Sequence, residues 1–188
     1  VPLSEIKNAD RLSLSVLIEG SPYHNSWNIW VYNTPAITDL PVTADIDAAI
    51  NIARKGGRTI LVLPPKSAKG IEGKFLPVFW SPVHFPKQAG SMGLLIDHAH
   101  PALKNFPTEK HTDWQWWSIV KRSKAMQIDS IPGASPIVET IDNFVNNRRL
   151  ATVFEAKLGK GAIIVTSIDL ITPDTADGQY KTGITPEI

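Results

Sequence analysis

The residue pattern predicts an α/β protein preceded by a short antiparallel β segment, and three stretches carry that prediction. From Arg11 to Glu19 apolar and polar residues nearly alternate, and Trp27-Asn28-Ile29-Trp30-Val31-Tyr32 follows after Gly20-Ser21-Pro22. Period-two alternation beside an aromatic, β-branched run reads as an antiparallel strand pair, with Leu12, Leu14, Val16 and Ile18 on the face to be buried. Next, Ile46, Ala49, Ile50 and Ala53 form one helical stripe, with Thr43 as the expected N-cap and Gly56-Gly57 as the stop. Finally, Thr59-Ile60-Leu61-Val62-Leu63 runs unbroken into Pro64-Pro65, as a strand buried on both faces of a parallel sheet does.

The remaining elements follow from the same rules. Pro35 and Pro41 mark a connector between the two parts, so the expected division is 1–39, 40–170 and a polar, proline-bearing tail at 171–188. Leu94-Leu95-Ile96 reads as a strand, and Thr112 or Asp113 caps a helix that ends near Lys121-Arg122. Ser135-Pro136 opens another expected helix, with Ile137, Val138, Ile141, Phe144 and Val145 along one side and Arg148-Arg149 as a solvated helix end. Leu150–Leu158 and Ala162–Ile168 flank Gly159-Lys160-Gly161 as a hairpin.

Composition excludes several function classes. Nineteen basic and eighteen acidic residues leave a formal charge of +1, so no field exists to gather nucleic acid or an anionic membrane. The absence of cysteine removes disulfides, thiolate metal sites and a cysteine nucleophile together. No stretch is apolar for long enough to span a bilayer as a helix, and Val1–Glu5 has neither the basic nor the apolar region of a signal peptide.

The most distinctive stretch runs from His100 to Trp117, where Trp114, Trp116 and Trp117 fall within four residues. Such a cluster is either a core or a flat platform for sugar or base rings. On a helix Trp114 and Trp117 share one face and Trp116 points elsewhere, which sets at least one indole in the core. In the binding reading Glu109, His111 and Asp113 would bond sugar hydroxyls; in the structural one Thr112 or Asp113 is a cap and Glu109 a turn residue. A carboxylate pair beside aromatic rings is also what glycosidic cleavage uses. Ala89-Gly90-Ser91-Met92-Gly93 has the letters of a hydrolase nucleophile elbow, but a strand does not precede it nor a helix follow it, so a turn is the better account of Ser91. His98 and His100 are weak metal candidates, since Pro101 follows at once. No cofactor is expected.

Ser26–Tyr32, His100–Leu103, Phe106–Glu109, Asp113–Trp116, Phe154–Gly161 and Ser167–Leu170 together resemble the C-terminal region of large bacterial glycoside hydrolases of family two, the β-galactosidase-like enzymes of Bacteroidetes. The resemblance covers most of the chain, from about Arg11 to Leu170. It implies a flavodoxin-like domain of the class I glutamine amidotransferase type, with a mostly parallel sheet flanked by helices, behind a β-sandwich edge. It also implies a secreted or periplasmic protein. The catalytic glutamates of that family sit in a barrel of about 200 or more residues that this chain does not resemble, and the amidotransferase cysteine is lacking. The expectation is therefore a non-catalytic accessory domain whose partners are the other domains of a larger hydrolase. Its rivals are a carbohydrate-binding module built on Trp114–Trp117, and an independent hydrolase using Ser91 or Glu109 with Asp113. Any apolar face left uncovered would favour a homodimer of the isolated chain.

Overall fold

A computed structural model describes residues 3, 5–32, 39–75, 81, 83–86 and 91–169; the expected tail at 171–188 lies outside them. Strands β1 (Asp10–Leu17) and β2 (His24–Val31) pair antiparallel in register over eight residue pairs, closed by the turn at Gly20. After the connector come β3 (Val42–Thr43), helix α1 (Ile46–Arg54) and β4 (Arg58–Val62). The cap of α1 is Asp45 rather than Thr43: its carboxylate accepts from the Asp47 and Ala48 amides, while Thr43 Oγ1 accepts from the Asp45 amide. Two side chains thus share the capping that one was expected to do.

β5 (Ile71–Glu72) and β6 (Ser91–Ile96) precede a 3₁₀ turn at Pro101–Leu103 and helix α2 (Trp114–Val120). The chain then runs through β7 (Lys124–Gln127), β8 (Ala134–Asp142), β9 (Leu150–Leu158) and β10 (Gly161–Thr166). β3, β4 and β10 lie parallel, but β10–β9, β9–β8, β8–β6, β7–β9 and β5–β7 are all antiparallel. One edge of β9 is taken by β8; along the other, β7 pairs at Leu150–Ala151 and β10 takes over from Val153. Buried Ser167 sits at this handover: its amide donates to the Thr152 carbonyl and its hydroxyl to the Lys124 carbonyl.

This architecture corrects the expected flavodoxin-like, mostly parallel sheet flanked by helices. The continuous run at β4 does lie between two parallel neighbours, as its burial on both faces requires. However, β10 reaches β4 through a hairpin from β9, and no helix crosses over between them. Ser135–Val145, expected to be helical, is strand β8 as far as Asp142 and a turn beyond it. Ile137, Val138 and Ile141 fit either period; their β-branching, with Thr140, favours a strand, and Pro136 is tolerated beside a register shift. Ser91–Gly93, read as part of a turn, begins β6.

The sheet carries apolar side chains on both sides, so two cores form. On one side Ala49 and Ala53 of α1 meet Leu61, Ala151, Phe154, Ile163 and Val165. On the other, Val153, Ile137, Val138, Leu94 and Ile96 meet Leu103, Phe106, Trp116, Ile119 and Val120. Adjacent Val153 and Phe154 face opposite cores, as the period of two demands. The segment from His100 to Val120 is therefore the cover of the second core.

Candidate functional site

The tryptophan segment is stitched to the outer edge of β6 before its helix begins. The Ile96 amide donates to the Lys110 carbonyl at 2.9 Å and the Thr112 amide to the Leu94 carbonyl at 3.2 Å, while Thr112 Oγ1 accepts from the Leu94 amide. This closeness needs Gly93, whose φ of +145° is open to glycine and whose missing Cβ leaves room for the Thr112 hydroxyl. Asp113 then caps α2 by accepting from the Trp114 amide at 2.6 Å.

From that start the indoles take three different environments. Trp116 is fully buried; its N–H donates to Thr108 Oγ1 at 2.7 Å and its ring meets Phe106 edge-on at 5.3 Å. Trp114 keeps 59% of its surface exposed, yet its N–H donates to the Asn28 carbonyl at 2.9 Å and its ring meets Trp30 at 5.2 Å and 66°. Trp117, 38% exposed, leans edge-on against Phe75 at 5.4 Å. Buried Gln115, between them, donates through Nε2 to the Tyr32 hydroxyl and to the Pro107 carbonyl, and Tyr32 stacks on Phe106 at 5.4 Å.

The segment is thus a dock for the β1–β2 hairpin. Arg11, opposite Trp30 in the strand register, pairs with Glu109. Trp30, Asn28, Tyr32 and Arg11 were given no role by sequence reasoning; the available signal was their common parity on two paired strands, which sets Arg11, Asn28 and Trp30 on one face.

The other candidates fall into separate structural tasks. Glu109 is committed to Arg11, and Asp113 to the cap of α2. His111 forms a bridge beside Leu95, its Nδ1 lying 3.1 Å from the Thr112 carbonyl. Ser91 is buried, and its hydroxyl donates to the Lys74 carbonyl at 2.7 Å, a placement unlike that of an exposed nucleophile. His100 caps the 3₁₀ turn by accepting from the Ala102 amide, and His98 lies exposed in the preceding turn. Among the described residues no three histidine or carboxylate side chains gather as cation ligands.

A second polar cluster escaped sequence reasoning altogether. Asp142, its side chain 1% exposed, accepts from Arg148 Nε at 2.8 Å, Arg148 Nη2 at 3.2 Å, and the backbone amides of Arg148 and Asn143. Burial by itself would raise this carboxyl, but those hydrogen bonds and the guanidinium charge outweigh it and hold the group below the usual carboxylate range. Arg148, expected at a solvated helix end, instead anchors the β8–β9 loop, where Asn147 adopts a φ of +48°.

Fold and site together define a mixed β-sheet domain with a hairpin seated on its aromatic cover. The chain belongs to the family described as a domain of unknown function (DUF8487), whose model matches residues 41–181. Residues 1–33 match a second model, the domain of unknown function DUF8488. No curated protein matches the chain.

Proposed function

We propose that the chain is a non-catalytic accessory module in which the tryptophan segment clamps the β1–β2 hairpin to the main sheet. The observation that carries this reading is the Trp114 N–H bond to the Asn28 carbonyl, flanked by the Trp30 ring and the Arg11–Glu109 pair. The groups that would bind or cleave a sugar are spent on internal contacts: Glu109 on Arg11, Asp113 on its cap, Trp116 on the core. A larger, secreted or periplasmic β-galactosidase-like hydrolase is the proposed parent, supported by the residue resemblance at His100–Leu103, Phe106–Glu109 and Asp113–Trp116.

One observation favours the rival carbohydrate-binding reading, namely the exposed parts of Trp114 and Trp117 on α2. Titration with plant and host oligosaccharides, followed by tryptophan fluorescence, separates the two. The clamp reading expects no saturable change. A saturable change that Trp114→Ala or Trp117→Ala removes while the chain stays folded would establish a sugar platform instead.

A further inference from the structure

The hairpin is seated by the face that its sequence alternation marks as polar. Arg11–Trp30, Ser13–Asn28 and Ser15–Ser26 are opposed pairs on that face, whereas Leu12–Ile29 and Leu14–Trp27 are opposed on the other. Since Arg11 and Trp30 meet the body, the apolar face is turned away from it. There Leu14, Val16 and Trp27 are 44%, 55% and 46% exposed, and near the turn Leu17, Ile18 and Tyr23 are still more so. The expected burial of Leu14, Val16 and Ile18 is not supplied within the described residues.

The edges of the hairpin are equally unguarded. Free edges are normally blunted by charge, proline or a bulge. Apart from Asp10 and Arg11 at the start of β1, the two strands contain no Lys, Arg, Asp, Glu or Pro, and their register has no shift. Among the described residues no third strand joins either edge, although a two-stranded sheet alone is marginal in water. Residues 1–33 also match a family model separate from that of the main sheet.

We infer that the outer face and free edges of the β1–β2 hairpin dock against an antiparallel β-sheet of a partner domain, completing a β-sandwich. Size decides against a second copy as occupant. An eight-residue strand spans ~27 Å and two strands about 10 Å, so the face offers roughly 270 Å², well short of the ~800 Å² per partner of a stable complex. A partner domain whose sheet packs on the face, and whose own strands lie beside the free edges, buries the whole arm. The partner strands must be uncharged where they meet Leu14, Val16 and Trp27, with apolar side chains at every second position.

This inference rests on the seating proposed above, and the test reads the two separately. The whole ¹⁵N-labelled chain is titrated with a lysine-flanked strand peptide of alternating valine and threonine, while sedimentation velocity is measured on the chain alone. Saturable shifts confined to the β1 and β2 amides, weakened at least tenfold by Leu14→Lys, are expected, together with a monomer. No shifts at about millimolar peptide, a detection limit corresponding to about −4 kcal/mol, or equal shifts in Leu14→Lys, would overturn the inference. A dimer abolished by Leu14→Lys would also overturn it, by giving the face to a second copy. The Trp114 indole N–H resonance reports the seating; if Leu14→Lys disturbs that signal, Val16→Lys, nearer the free end of the hairpin, carries the comparison.

Discussion

The Trp114 indole N–H points at the Asn28 carbonyl, 2.9 Å away, and so ties helix α2 to strand β2 across 86 positions of sequence. The bond is long-range, charge-free and made to backbone, so it fixes where the hairpin sits whatever side chain occupies position 28. Trp30 contributes its ring rather than its N–H, which has no hydrogen-bond partner among the described residues.

Trp114→Phe keeps an aromatic face for Trp30 and deletes the hydrogen bond, at an expected cost of about 1 kcal/mol; Trp114→Ala also deletes the ring contact and should cost about 2 kcal/mol. Both should speed amide exchange in β1 and β2 while leaving β8–β10 protected. Uniformly faster exchange across the main sheet would show that the hairpin and sheet unfold as one unit.

Trp116→Ala removes a fully buried indole from the second core and takes away the donor to the Thr108 hydroxyl, which keeps its own bond to the Glu109 carbonyl. An expected loss of about 3–5 kcal/mol follows from burial and cavity formation, measured by urea unfolding. A loss under about 1 kcal/mol would mean that the site collapses around the deletion.

Asp142 makes stability pH-dependent in a definite direction. Its carboxyl is held low in the folded chain, so its contribution is present above the unfolded value of about 3.9 and is lost as pH falls through the lower folded value. Asp142→Asn should therefore destabilise by about 2–4 kcal/mol near neutrality, leaving Arg148 without its carboxylate. It should also flatten the decline of stability below about pH 4. An acid limb as steep as that of the parent chain would assign the decline to other carboxylates.

Gly161→Ala places a Cβ against the carbonyl oxygens of Ala53 and Gly57, where the end of α1 crosses the start of β10. Backbone cannot give way as a flexible side chain can, so a loss of about 1–3 kcal/mol is expected. A melting temperature unchanged by the substitution would contradict so close an approach.

Residues close in sequence were legible where period and composition agreed. The pairing of Arg11–Glu19 with Trp27–Tyr32, found as β1 with β2, the α1 stripe, the run at Thr59–Leu63, found as β4, and the β9–β10 hairpin each declare themselves within about twenty residues. At Ser135–Asp142 the apolar spacing suits either period, and only pairing with β6 and β9 resolves it into a strand. The same holds for the sheet: a buried apolar run signals parallel neighbours, yet the direction of β9, β8 and β6 depends on connections that its own residues do not encode.

By itself the sequence determined most of the local elements, the near-neutral formal charge, and the singular segment from His100 to Trp117. Tertiary structure alone decided what that segment does, because a tryptophan's role depends on what lies opposite it. Trp116 faces the core, while Trp114 meets Asn28 and Trp30 from the far end of the chain. Tertiary structure likewise decided which face of the hairpin is covered. Alternation separates two faces of a strand without saying which will be buried, and here Arg11 and Trp30 turn the polar one inward.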